Sequence, residues 1–157
     1  MQSTTKHQPS NIKHAFTLIE MLVVIAIIGI LMSLLIPALS GARHRARVTR
    51  ARMEMNQIET AWISYRNDYR ELPQGLSQMD QNAVSILTGD NPREISYMEF
   101  SEGEFLDPWG EIYRLALADN NNPNQVSVMI PGEGFVRLDR PVAVWSTGSG
   151  DAIVSWR

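Results

Sequence analysis

The feature that constrains this chain most is an apolar run from Phe16 to Leu39, FTLIEMLVVIAIIGILMSLLIPAL, interrupted near its start by one carboxylate, Glu20. From Met21 to Ile36 it carries no charge. As a helix rising about 1.5 Å per residue, the stretch is roughly 35 Å long, enough to cross the hydrocarbon core of a bilayer. A carboxylate near the end of such a helix costs about 2.5–3.5 kcal/mol at full depth and less where it snorkels to the interface, so Glu20 asks for a partner.

The chain has 157 residues, 44% hydrophobic, with a net charge of -3, which predicts one small domain plus an anchor. With no Cys there is no disulfide, thiol nucleophile or thiolate metal site. The charge is unevenly placed: Lys6 and Lys13 precede the apolar run, Arg43, Arg45, Arg47, Arg50 and Arg52 follow it, and residues 53–157 hold 7 Arg against 16 Asp or Glu, a net of -9. Counted by the positive-inside rule, five Arg after the helix outweigh two Lys before it and would put the C-terminal part in the cytoplasm. The Arg cluster also suits anionic lipid headgroups or acidic neighbouring chains, at about 1 kcal/mol per charge near a surface. An ordinary secretory signal is a competing reading, with Lys6 and Lys13 as the basic region and cleavage after Ala38-Leu39-Ser40, before Gly41.

Beyond Pro37 and Gly41, Val48, Ala51, Met55, Ile58, Trp62, Tyr65 and Tyr69 recur at spacings of three and four, one stripe of an amphipathic helix that Pro73 stops. Arg47, Arg50, Arg52, Glu54, Gln57, Glu59 and Arg66 lie between them and predict a solvated opposite face. A short second helix is expected over 77–87, with Ser77 as its N-cap. From residue 95 onward, short apolar runs at 111–117, 125–130, 135–138, 142–146 and 153–156 alternate with turn residues and read as strands of one small antiparallel sheet. The helical stripe supplies the partner such a sheet needs. The expected class is α+β: one long N-terminal helix, membrane-spanning in its first half and amphipathic in its second, packed on that sheet.

A short basic leader, a small residue, then Phe16-Thr17-Leu18-Ile19-Glu20 and an apolar helix containing Pro37 resemble the N-terminal signal of type IV pilins and pseudopilins, over about the first 40 residues. Later segments are similar to the major pseudopilins of the type II secretion system: Asp107-Pro108-Trp109-Gly110, Leu72-Pro73-Gln74-Gly75-Leu76, and Val144 to Gly148 followed by Asp151 to Trp156. The resemblance implies a pilin-like fold and a division into a leader over 1–15, an assembly helix over 16–39, its amphipathic continuation over 40–72 and a globular periplasmic head over 73–157. It implies cleavage between Ala15 and Phe16 by a prepilin peptidase, with Ala15 where the family usually has Gly, and N-methylation of Phe16. Glu20 would face the N-terminal ammonium of a neighbouring subunit and set its register, since two opposite charges in low dielectric are costly alone and tolerable together. Gly29 and Pro37 would serve close packing or local unwinding of the helix. In the head turn Asp107 to Gly110, Asp107 would accept backbone N–H groups in a turn pre-set by Pro108, with Trp109 anchoring it to the core.

By the same resemblance the implied partners are further copies of this chain, other pseudopilins, the peptidase, an inner-membrane assembly platform and the lipid bilayer. The implied location is the inner membrane, single-pass, with the head in the periplasm. The family commonly binds calcium near the C-terminus; here residues 146–151 offer one carboxylate, Asp151, against the six to eight oxygens calcium takes, so no cofactor is expected and Asp151 is a weak candidate ligand. The three His are His7, His14 and His44, none of them in the head, so no enzyme is expected. Glu99, Glu102 and Glu104 read as an exposed loop rather than a paired-carboxylate site. An acidic head disfavours nucleic acid as a partner. The rival readings are a surface type IV pilin, used in adhesion, motility or DNA uptake, and a single-pass anchored or secreted binding domain.

Overall fold

The computed structural model describes residues 16–99 and 105–156. Helix α1 runs Leu18–Tyr69 and α2 Gln81–Thr88; the strands are β1 Arg114–Leu117, β2 Val126–Ile130, β3 Gly134–Leu138, β4 Val142–Ser146 and β5 Ile153–Val154. The chain divides into two compact units, Met1–Gly41 and Ala42–Arg157.

In the first unit, the described residues are the apolar part of α1. Its Leu, Ile, Val and Met side chains from Leu18 to Ile36 are exposed, and the segment is long and apolar enough to cross a membrane by length and composition. Helix continues through Pro37, which has no N–H to return to the carbonyl four residues earlier.

In the second unit, the apolar stripe becomes the wall of a core. Ala51, Met55, Ile58 and Trp62 are fully buried and Tyr65 nearly so, with Val48 and Tyr69 packed at the ends of the line. Trp62 donates its indole N–H to Met79 Sδ at 3.5 Å, and Tyr65 meets Trp62, Tyr69 and Tyr97 with ring centroids 5.7, 4.4 and 5.6 Å apart. Helix α1 ends when Arg70 turns left-handed at φ +64°, its N–H reaching the Arg66 carbonyl at 2.7 Å. An αL residue at this position closes a helix as Gly usually does, at a cost of about 1–2 kcal/mol for a side chain with a Cβ.

Two expectations are corrected. Helix α2 is capped by Asp80, whose Oδ1 accepts the Ala83 N–H at 3.0 Å, and not by Ser77. Residues 77–79 are instead drawn into extended pairing beside β1: Leu115 N–H donates to Ser77 O at 3.0 Å and Met79 N–H to Tyr113 O at 2.8 Å. The strands also form two sheets rather than one. One has the order β1-β4-β5 and the other is the β2-β3 hairpin, all pairs antiparallel. In the hairpin Val126, Val128 and Ile130 face the core while Met129 and Phe135 sit opposite each other on the outer face; all five residues of β4 are buried.

Removing the largest side chain of the stripe tests this packing. Trp62→Ala should destabilise the head by about 3–5 kcal/mol, read as a shift in denaturant midpoint at unchanged slope. A loss below about 1 kcal/mol would mean that the stripe is not the core.

Candidate assembly terminus and the contacts that seat the head

At the start of α1, Thr17 is the N-cap and Glu20 the third helical residue, and the two form a reciprocal capping box. The Thr17 N–H and its hydroxyl both donate to Glu20 Oε2 at 2.8 Å, and the Glu20 N–H donates to Thr17 Oγ1 at 3.3 Å. The carboxylate thus has hydrogen-bond partners within its own chain, yet among the described residues no cation pairs with it. Phe16 is exposed beside it, while Ala15 lies outside the described residues. Among the described residues, a Cβ added at Gly29 would meet no atom within 4 Å, so none of them requires glycine there.

In the second unit, Arg47, Arg50, Arg52 and Gln57 are exposed as the residue pattern suggests, whereas Glu54, Glu59 and Arg66 are half-buried. Glu54 accepts the Tyr113 hydroxyl at 2.7 Å and pairs with Arg50 at 2.8 Å. Glu59 accepts the Ser155 hydroxyl and, at 3.3 and 3.4 Å, the Arg140 guanidinium. Arg66 donates to Asn124 at 2.8 Å. Two carboxylates five residues apart therefore receive the residue before β1, a residue two positions before β4 and the residue after β5. Nothing local in the sequence marks these contacts with Tyr113, Arg140 and Ser155, which lie 59 to 96 residues away. Arg43, Arg45, Arg47 and Arg52 remain exposed.

The turn at 107–110 is built around a buried carboxylate. Asp107 Oδ1 accepts the N–H groups of Trp109 and Glu111, both at 2.9 Å, and its Oδ2 accepts the Ser146 hydroxyl at the end of β4. The Gly110 N–H closes the turn on the Asp107 carbonyl at 3.0 Å with Gly110 at φ +93°, a left-handed position that favours glycine. Pro108 supplies the fixed φ that such a turn uses at its second residue. Trp109 is half-buried against the core, 6.2 Å from the His44 ring. Asp151 is exposed, and Glu99 is too; Glu102 and Glu104 lie outside the described residues.

The N-terminal arrangement defines a prepilin-type chain. Residues 10–36 match the model described as the prokaryotic N-terminal methylation motif. Type II secretion system core protein G of Dickeya chrysanthemi is 28% identical over 141 residues, covering 88% of this chain and 90% of that protein. The same protein of Pseudomonas aeruginosa is 30% identical over 111 residues (69% and 76%), and that of Escherichia coli K12 is 32% identical over 106 (66% and 71%). No solved structure matches the chain significantly. The chain belongs to the type II secretion system core protein G family, the major pseudopilins.

The Tyr113–Glu54 contact has a consequence in alkali. Burial, with the Glu54 carboxylate beside it, pushes the Tyr113 phenol up from its ordinary value of about 10. The folded state thus disfavours the phenolate, and stability present below about pH 10 is lost as the pH rises beyond it. Burial and Asp68 push Tyr97 in the same direction. Melting temperature should be flat from neutral pH to about pH 9 and fall above it. Tyr113→Phe should cost about 1–3 kcal/mol at neutral pH and melt with a shallower alkaline fall; an unchanged alkaline slope would contradict the assignment.

Proposed function

We propose that this chain is a membrane-anchored pseudopilin subunit, processed by a prepilin peptidase between Ala15 and Phe16, methylated on Phe16 and polymerised through α1 into a periplasmic filament for type II protein secretion. The single observation that carries the reading is the joint occurrence, in one chain, of the methylation motif over 10–36 and a likeness to core protein G that spans most of both chains. A prepilin signal alone is equally compatible with a surface pilin; likeness to secretion-system proteins through the head favours the pseudopilus.

The geometry supports a division of labour. The exposed apolar side chains of residues 18–36 need lipid before assembly and neighbouring helices after it. Glu20 is the one charge among them, and cleavage before Phe16 would create the complementary ammonium four residues away in sequence. Within one subunit the helical backbone keeps Glu20 on the first turn, capped by Thr17; in a filament the ammonium of an adjacent copy neutralises it and fixes how far the two helices slide. Gly29 lets neighbouring helices approach, and Pro37 marks where the backbone ladder loses a donor. The head lies in the periplasm on the inner membrane's outer side, and its role is mechanical rather than catalytic. Partners are further copies, other pseudopilins, the peptidase and the inner-membrane assembly platform.

Glu20→Ala tests the register role. The variant should insert into membranes at wild-type level and lose crosslinked multimers by at least about tenfold, since removing one member of a buried pair costs roughly 3–5 kcal/mol. Wild-type multimer yield in that variant would overturn it.

A further inference from the structure

The turn between β4 and β5 is where the family resemblance implies calcium, and several of its oxygens take part in hydrogen bonds within the chain. The Ser146 hydroxyl donates to Asp107 Oδ2 and accepts the Gly148 N–H at 3.3 Å. The Thr147 carbonyl accepts the Gly150 N–H at 3.3 Å, and the Ser149 hydroxyl donates to the Asp151 carbonyl. Of the two carboxylates near the turn, Asp151 projects into solvent and Asp107 is 5% exposed with both oxygens accepting hydrogen bonds. Calcium gathers six to eight oxygens at about 2.3–2.6 Å. Among the described residues no three His, Cys, Asp or Glu side chains come together to hold a metal.

Gly148 packs directly on Asp107. A Cβ built on Gly148 would lie 2.5 and 2.9 Å from the two Asp107 carboxylate oxygens and 2.9 Å from Trp109 Cβ. The β4–β5 turn therefore rests with bare backbone on the carboxylate, at a distance that leaves no room for a methyl group.

We infer that Asp107 fastens the β4–β5 turn in place of a metal ion: its buried carboxylate ties the 107–111 turn to Ser146, Gly148 closes over it, and the head of this chain is complete without calcium. One side chain holds together two segments 39 residues apart, the separation that a cation bridging them would otherwise span. The inference stands on the head's own geometry and does not depend on the secretory role.

The test is thermal melting of the full chain in detergent, followed by near-ultraviolet circular dichroism of its Trp residues, in chelator and in millimolar calcium chloride. The wild type should melt at the same temperature in both. Asp107→Asn keeps an acceptor for the two N–H groups but loses the charge that strengthens them, and should melt several degrees lower, again without response to calcium. Gly148→Ala should also melt lower, because its Cβ must displace Asp107 or Trp109. Calcium raising the wild-type melting temperature by several degrees would overturn the inference, as would Asp107→Asn or Gly148→Ala melting like the wild type. If a variant does not fold, the calcium response of the wild type alone decides.

Discussion

One face of α1 between Val48 and Tyr69 is apolar, and the head depends on that face. The strands are short, between two and five residues, and neither small sheet could bury enough surface to stand by itself. Set against Met55, Ile58 and Trp62, they close a core that includes Met79, Leu87, Tyr113, Leu115, Ile130 and Val144. Burying each large apolar side chain contributes about 1.5–3 kcal/mol, so this shared face outweighs any single polar contact in the head.

The polar contacts do a different job, which is to set where the sheets sit along the helix. Apolar packing is tolerant of sliding, whereas Glu54 and Glu59 offer acceptors at two fixed heights on α1, and Tyr113, Arg140 and Ser155 each reach one of them. Arg140 is about one-third exposed, so its ion pair adds under about 1 kcal/mol and acts mainly through geometry. Asp107 repeats the device away from the helix, joining a turn to the end of β4.

What was legible in the sequence was what is local. The apolar run with Glu20, the three-and-four spacing from Val48 to Tyr69, and the turn chemistry at Asp107-Pro108-Trp109-Gly110 each depend on near neighbours along the chain. The strand runs were placed to within a few residues for the same reason. What escaped is what distant residues decide. Ser77 looks like a helix cap, but its carbonyl is taken by Leu115, leaving Asp80 to begin α2. Strand spacing does not say whether β2-β3 joins the β1-β4-β5 sheet or folds as a separate hairpin. Glu54, Glu59 and Arg66 sit on polar positions of the helix and read as solvated; their partners become visible when the strands are in place. Ser146 falls at the end of an apolar strand, and nothing around it announces Asp107.

The apolar half of α1 is the counterpart of the head's economy of surface. Among the described residues its side chains find no cover, and Glu20 finds hydrogen bonds but no cation. Both deficits would be met by the event proposed above: removal of the leader, exposing an ammonium at Phe16, and association with further copies. The most direct measurement is therefore the intact mass of the chain purified from membranes of cells that contain a prepilin peptidase. The account predicts a chain beginning at Phe16 and heavier by one methyl group. A chain beginning at Gly41, or one retaining residues 1–15, would contradict it.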